Sequence, residues 1–295
     1  MFFKQELSHL KNACVTAEST PAPAFGCLGE HNNESPSMVL FKEDFAEVNR
    51  TLVSMLALKW ILGDDYSAFS ATENSSVRLI DKAFQQLRHF FTHRARTSHG
   101  LYTLLVAIAI DDIGKDPDLA EEIEQQAGDS TYEDHSELVF KAAQEGLIAA
   151  LEMVPTSSHN DVLTCLQIGS RLNISQVVQG ECSPASLDVL SGSENQGQGF
   201  TLRTMVTLLD VAGAAGHADS RSCIMMNEPV FQAYMIAIEA LDYHNYVHAT
   251  ITFWKHERKI WNFRALFSIV NGCKVGARSA ALHRTCHQEG SGRAI

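Results

Sequence analysis

The segment of residues 101–115, LYTLLVAIAIDDIGK, constrains this chain more than any other. A dense apolar run ends there at two adjacent carboxylates, Asp111 and Asp112, and Lys115 follows shortly after. Burial of the run draws both carboxylates to the edge of the core, where a negative charge is costly unless a metal ion or a cationic side chain compensates it. The segment therefore predicts both a core element and a candidate functional site.

Apolar residues recur at three- and four-residue steps through much of the chain, which is the spacing of an amphipathic helix. The clearest examples lie within residues 45–62, 79–91 and 137–154. Residues 106–110, VAIAI, alternate in a way that also fits a buried strand, but the apolar run before them extends the segment beyond the usual length of a strand. We therefore predict a mainly α fold, a single-domain helical bundle.

Composition divides the chain into three parts. Residues 1–41 are predicted to be a partly disordered N-terminal segment, because Pro, Ser, Asn and Gly are abundant from residue 14 onward. Helical spacing dominates residues 42–270, which form the predicted helical domain. Residues 271–295 combine basic residues with Gly and Ser and show little periodicity, which predicts a basic, flexible tail.

Charge and cysteine usage restrict the partners and the compartment. The formal net charge of −12 disfavours binding to nucleic acid over most of the surface. No apolar stretch reaches the roughly 20 residues that span a bilayer, so no membrane partner is expected. The 7 cysteines include no Cys-x-x-Cys pair, which favours reduced thiols and a cytoplasmic location, with the nucleus as the other compartment that fits.

Side chains of the type that ligates metals lie at predicted helix ends or on apolar faces. These candidate metal ligands are Asp112, His135, His159 and Asp210. Successive antiparallel helices of about 15 to 20 residues would bring them to one level of a bundle, where facing helices commonly build metal sites. A mixed set of carboxylate and imidazole ligands suits a divalent metal such as Mn, Fe, Mg or Zn.

The pentapeptide at residues 111–115, DDIGK, resembles the hallmark of the HD-domain superfamily of metal-dependent phosphohydrolases, in which His-Asp is often followed by Ile-Gly-Lys. The resemblance extends over residues 75–220. It implies an HD-domain-like helical fold in which Asp112 is a metal ligand. Asp111 stands in the place of the hallmark His and Lys115 in the place of the following Lys, which makes both candidate catalytic residues.

The later residues continue the resemblance in the same order. His135 and His159 match the downstream His positions, and Asp210 matches the final Asp of the family. The resemblance implies a phosphohydrolase that acts on a small phosphate ester or nucleotide. A water molecule activated by the metal would attack the phosphorus, and Lys115 would stabilise the charge on the phosphoryl group.

Two departures from the family pattern leave other functions open. The hallmark His is replaced, and residues 75–82, where the family has its upstream His, contain none. A non-catalytic helical binding or scaffold protein with a vestigial site fits both departures. A third interpretation treats Asp111, Asp112 and Asp116 in DDIGKD as an aspartate-rich motif that binds Mg-diphosphate, as in terpene synthases.

Overall fold

Helices account for the regular structure of the residues that the structure describes. The computed structural model describes residues 3–13, 34–128, 132, 134–190 and 196–254, and no residue in that part of the chain lies in a β-strand. The prediction of a mainly α, single-domain fold is confirmed. None of the helices in the described ranges is long and apolar enough to cross a membrane. The α-helices are α1 (Lys4–Asn12), α2 (Pro36–Phe41), α3 (Ala46–Leu62), α4 (Tyr66–Phe69), α5 (Asp81–Arg94), α6 (Ser98–Ile110), α7 (Pro117–Ala127), α8 (His135–Gln144), α9 (Ala149–Glu152), α10 (Thr156–Gly169), α11 (Ile174–Gln179), α12 (Gln196–Gly213) and α13 (Glu228–Trp254), with short 3-10 helices at Ile113–Lys115 and Pro184–Leu190.

The apolar run of residues 101–110 forms most of α6, a central helix of the bundle. Thr97 caps this helix, because its hydroxyl accepts a hydrogen bond from the Gly100 amide at 3.0 Å. The side chains of Leu104 and Ile110 are fully buried. Helices α3, α10 and α12 all pack against α6. A helix that is apolar on every side suits this central position, so the segment is a buried helix, as its length predicts.

Small residues let α12 approach its two main neighbours, α10 and α3. A Cβ atom on Gly199 would lie 2.5 Å from the Thr164 side chain of α10. At the other end of the helix, a Cβ on Gly213 would overlap with the Ser54 hydroxyl of α3. Real Cβ atoms do not approach other atoms so closely, so both helix pairs depend on glycine at these positions.

The N-terminal helix α1 belongs to the same core as the rest of the bundle. Its Leu7 and Leu10 side chains are buried, and its buried Glu6 accepts a hydrogen bond from the Ala150 amide at 2.8 Å. The helical domain therefore includes residues well before residue 42, where the sequence pattern had placed its start. The predicted tail at residues 271–295 and most of the Pro- and Ser-rich stretch before α2 lie outside the described residues.

The 3-10 helix after α6 packs tightly against the start of α8. A Cβ atom on Gly114 would collide with the carbonyl oxygen of His135, and it would lie 2.8 Å from a methyl group of Val139. The glycine of the DDIGK pentapeptide is therefore required by packing, because any side chain there would push α8 away from the end of α6.

The replacement Gly114→Ala is expected to lower the free energy of unfolding by about 2 kcal/mol, because the added methyl group overpacks the contact with α8. Urea denaturation of the two proteins measures this loss. Gly197→Ala is the matched control, since a Cβ there meets no described atom within 4 Å, and alanine is the better helix former. Equal stability of the Gly114→Ala variant and the parent would show that α8 does not pack as closely as described.

Candidate functional site

Charged side chains gather where the end of α6 meets α3, α8 and α12. Glu47 and Arg50 come from α3, and Arg203 and Asp210 from α12, whereas the others follow α6 or begin α8. We refer to the whole group as the charged cluster. Its members are Glu47, Arg50, Asp111, Asp112, Lys115, His135, Arg203 and Asp210.

Lys115 lies between two carboxylates of the cluster. Its Nζ is 2.9 Å from Oδ1 of Asp112 and 3.0 Å from Oε2 of Glu47. Burial alone would lower the pKa of Lys115, but the negative charges of Asp112 and Glu47 outweigh burial, so the pKa lies above its ordinary value. Burial would likewise raise the pKa of Asp112, but the adjacent Lys115 and Arg50 lower it overall. Both partners are therefore charged at neutral pH.

Asp111 pairs with a cation on a different helix. The Nη1 atom of Arg203 on α12 donates a hydrogen bond to Oδ1 of Asp111 at 2.6 Å, and only 14% of the arginine side chain is exposed. Gly169 of α10 leaves room for this guanidinium, since a Cβ there would lie 2.7 Å from Nη1. The neighbouring Cys165 is no nucleophile at neutral pH, because burial raises the pKa of its thiol to about 12.

Arg50 connects the remaining carboxylates. Its Nη1 donates to Oε1 of Glu47 at 2.9 Å, and its Nη2 lies 3.9 Å from Oδ1 of Asp210. Loss of hydration and the negative charge of Asp112 raise the pKa of Asp210 to about 7. Solvent still reaches 42% of the Asp210 side chain, which moderates the shift. With four carboxylates and three permanent cations, the cluster carries one excess negative charge, and Asp210 is the group that protonation would neutralise.

A small cavity lies inside the cluster. Asp111, Asp112 and Asp210 line it together with the hydroxyl-bearing Thr51 and Ser54 of α3, and apolar side chains close the rest. Its volume is about 10 Å³, which is the lower limit for a single water molecule. The interior of the cluster therefore has no room for a phosphate ester while the ion pairs are formed.

The structure brings five of the six predicted site residues together, namely Asp111, Asp112, Lys115, His135 and Asp210. His135 is the most peripheral of them, because its Nε2 lies 3.8 Å from Asp112 and 43% of its side chain is exposed. The residue before it, Asp134, caps α8 by accepting a hydrogen bond from the Glu137 amide at 2.9 Å.

His159 does not join the cluster, contrary to the sequence-based expectation. It lies in the first turn of α10, two residues before Asp161, whose carbonyl oxygen is beside Gly199. Asp210 is eleven residues further along α12 than Gly199, a rise of about 16 Å along the helix. The similar spacing of successive helices in the sequence suggested that His159 and Asp210 lie at one level of the bundle. The packing of α10 on α12 instead places His159 near the opposite end of α12.

The third carboxylate of DDIGKD faces a different part of the molecule. The buried Asp116 caps α7 by accepting a hydrogen bond from the Asp118 amide at 3.0 Å. Its other carboxylate oxygen is 2.7 Å from Nδ1 of His9 in α1. Since Asp111 and Asp112 pair with cations elsewhere, the three aspartates do not form the common diphosphate-binding face that a terpene-synthase-like motif requires.

Sequence reasoning missed Glu47, Arg50 and Arg203. One usable signal was the seven-residue spacing of Arg203 and Asp210 on an otherwise uncharged helix, which puts both side chains on one face. A second signal was Glu47 followed by Arg50 at the start of an amphipathic helix, a spacing that allows an ion pair. Neither signal shows that the pairs converge on Asp111 and Asp112, because that depends on tertiary packing.

The arrangement does not fit the metal ion that the resemblance implies. Within the described ranges, no group of three or more His, Cys, Asp or Glu side chains has an arrangement that could hold a metal ion. The physical reason is visible in the contacts, since Lys115 lies between Glu47 and Asp112, and Arg203 binds Asp111. A metal ion would have to displace cations that are already paired with the carboxylates it needs.

A much larger groove lies on another part of the surface, between α2, α3 and the loop at residues 216–221. It is open to solvent and has a volume of about 1410 Å³. Asp219 on its rim is fully engaged by Arg221, whose Nε and Nη2 donate at 2.8 and 2.7 Å. His217 also lines the groove, and its two ring nitrogens are buried and form no hydrogen bond with the described residues. The larger apolar side chains that line the groove are Met38, Val39, Leu40, Leu52, Met55 and Leu56.

Comparison with known proteins bears on the family of the chain. The family model described as "Family of unknown function (DUF6829)" matches residues 1–256, which is most of the sequence. No curated protein and no solved structure matches the chain. The HD-domain resemblance therefore remains a prediction.

The pair of Arg203 and Asp111 is expected to be essential for stability. Arg203→Met should lower the free energy of unfolding by about 3–5 kcal/mol, because it leaves the Asp111 carboxylate largely buried without its cation. Adding Asp111→Asn should recover part of the loss, and a double-mutant cycle measures the coupling. The control is Arg88→Met, because the pair of Arg88 and Asp64 is more exposed and longer, at 3.6 Å, and should contribute less than about 1 kcal/mol. Equal losses in the two arginine variants would contradict the structural role of Arg203.

The raised pKa of Asp210 predicts a specific dependence of stability on pH. The pKa in the folded protein, about 7, exceeds its ordinary value of 3.8, so the protonated carboxyl favours folding. This contribution is complete below the ordinary pKa and is lost as the pH rises through 7. Urea denaturation should therefore show the parent losing stability relative to Asp210→Asn between about pH 4 and pH 7.5, with no further loss at higher pH. A constant difference between the two proteins over this range would mean that the pKa of Asp210 is not raised.

Proposed function

The chain belongs to DUF6829, a family of unknown function, and we propose that it is a non-catalytic helical binding or scaffold protein. In this proposal the charged cluster is a vestigial site that now has a structural role. The cluster holds α3, the end of α6 and α12 together, and binding of partners takes place elsewhere on the surface.

One observation carries the proposal: cationic side chains of the protein already pair closely with three of the four carboxylates of the cluster, and Arg50 lies 3.9 Å from the fourth, Asp210. Lys115 contacts Asp112 and Glu47 at 2.9 and 3.0 Å, and Arg203 contacts Asp111 at 2.6 Å. A hydrolase of the expected type needs carboxylates that are free to bind a metal ion and a lysine that is free to bind phosphate. In this arrangement the same side chains neutralise one another.

The composition supports further parts of the proposal. The net charge of −12 disfavours a nucleic-acid partner. A cytoplasmic or nuclear location fits the unpaired thiols of Cys165, Cys182 and Cys223 among the described residues. The partner binds outside the charged cluster, because the cavity of the cluster is at the lower limit for one water molecule.

A metal-dependent phosphohydrolase is the second candidate function. The observation in its favour is that Asp112 and Asp210 line the same cavity and that His135 Nε2 lies 3.8 Å from Asp112, in the chain order that the HD-domain resemblance implies. In this case Mn, Fe, Mg or Zn would have to displace Lys115, and the substrate would be a small phosphate ester or nucleotide. The two functions differ in whether the parent protein retains a metal ion.

Elemental analysis by mass spectrometry tests the proposal on protein purified without chelator and without a metal-affinity tag. We expect substoichiometric Mn, Fe and Zn, and no hydrolysis of p-nitrophenyl phosphate or nucleotides in the presence of added Mn²⁺ or Mg²⁺. The physical reason is that a metal ion gains little by replacing cations that are already bound to the carboxylates.

The opposite result has a clear signature. About one or two metal ions per chain, lost in Asp112→Asn and Asp210→Asn, would contradict the scaffold proposal and support the hydrolase. Asp219→Asn is the control for this experiment, because Asp219 is a largely buried carboxylate that pairs with Arg221 outside the charged cluster. Metal that is also lost in the control would indicate a general loss of structure.

A further inference from the structure

We infer that Glu73 is a pH-sensitive switch that holds one wall of the large surface groove in place while its carboxyl group is protonated. The switch joins two loops, residues 70–80 between α4 and α5 and residues 214–227 between α12 and α13. We refer to these two hydrogen-bonded loops as the loop pair. The inference concerns a part of the surface outside the charged cluster and goes beyond the proposed function, because it describes how the groove responds to pH.

Backbone and hydroxyl groups hold the loop pair together. The contacts include a hydrogen bond from the Cys223 amide to the Phe69 carbonyl at 2.8 Å, another from the Glu228 amide to the Val77 carbonyl at 2.9 Å, and a distance of 2.5 Å between the hydroxyl groups of Thr72 and Ser222. Residues 216–221, which form one wall of the groove, directly precede Ser222. The position of this wall therefore depends on the contacts between the two loops.

Glu73 is a buried residue of the loop pair, and only half of its carboxyl group is hydrogen-bonded. The residue is 4% exposed. Its Oε2 accepts a hydrogen bond from the Leu79 amide at 2.6 Å, which closes the first loop. Its Oε1 is buried and has no hydrogen-bond partner among the described residues. Burial of a charge without a full set of partners is costly, so this position favours a neutral carboxyl group over a carboxylate.

Three titratable or charged groups face Glu73 within the described ranges. They are Arg78 of the same loop, Glu228 at the start of α13 and the thiol of Cys223. Loss of hydration is the largest effect on Glu73 and raises its pKa to about 7, against the opposing effects of the Leu79 amide and Arg78. The negative charge of Glu228 raises this pKa further. Cys223 stays neutral, because burial raises the pKa of its thiol well above the ordinary value.

The direction of the response follows from the two pKa values of Glu73. The pKa is about 7 in the closed loop pair, and the ordinary value of 4.5 applies once the loops separate and water reaches the carboxyl group. Protonation therefore favours the closed loop pair. This contribution is complete below pH 4.5 and is lost as the pH rises through 7. The groove wall should consequently be held more firmly in mildly acidic solution than above neutral pH.

Hydrogen exchange followed by mass spectrometry tests the inference on the full chain. The parent and Glu73→Gln are compared at pH 5.5, 6.5, 7.5 and 8.5, so that the intrinsic effect of pH on exchange cancels in their ratio. Glutamine has nearly the same shape and stays neutral. We expect the exchange rate of residues 214–227 in the parent, relative to the variant, to rise roughly 20-fold between pH 5.5 and 7.5 and very little above.

Two further variants are the controls. Glu124→Gln removes an exposed carboxylate of α7, and its exchange should match that of the parent at every pH. Asp210→Asn removes another carboxyl group whose pKa is near 7. It should leave the pH dependence at residues 214–227 in place, because that dependence comes from local opening of the loop pair and not from the stability of the whole fold.

The possible results separate a local switch from a general effect of pH. An exchange ratio for residues 214–227 that stays constant from pH 5.5 to 8.5 would overturn the inference. An equal rise in peptides from α10, or loss of the response in Asp210→Asn, would attribute it to global unfolding and would also overturn it. If Glu73→Gln does not fold, the exchange of the parent, divided by the rates of unstructured peptides, decides in the same way.

Discussion

The ammonium group of Lys115, held between Glu47 and Asp112, is the interaction on which the rest of the structure depends. The apolar run of α6 can be buried only if the carboxylates at its end are compensated, since an unpaired charge at the edge of the core is costly. Lys115 compensates one of them, and Arg203 compensates Asp111. Because Glu47 belongs to α3 and Arg203 to α12, the same two contacts also join the end of α6 to both neighbouring helices.

This arrangement connects the fold to the proposed function. A metal centre and an ion-pair cluster require the same carboxylates, but they use them in mutually exclusive ways. In this protein Arg50 adds to the ion-pair cluster, because it pairs with Glu47 and approaches Asp210. Arg50 and Asp210 therefore also link α3 directly to α12. The result is a group of helices joined by internal charges as well as by apolar packing, which is a property expected of a scaffold.

The sequence predicted local structure better than it predicted the partners of the candidate residues. The helical nature of α6 followed from the length of the apolar run, and the importance of Asp112 and Asp210 followed from charges interrupting apolar segments. Arg203 was missed because its partner is 92 residues away in the chain, and no local pattern encodes such a pair. His159 was misplaced for a related reason, because helix order alone does not reveal the level at which α10 packs on α12.

The most direct measurement is a crystal structure of the parent protein grown in the presence of Mn²⁺, with an anomalous difference map calculated at the charged cluster. We expect Lys115 Nζ to lie within hydrogen-bonding distance of both Glu47 and Asp112, and no anomalous peak to lie among the carboxylates. An anomalous peak bound by Asp112 and Asp210, with the side chain of Lys115 turned away, would contradict the proposed role of Lys115.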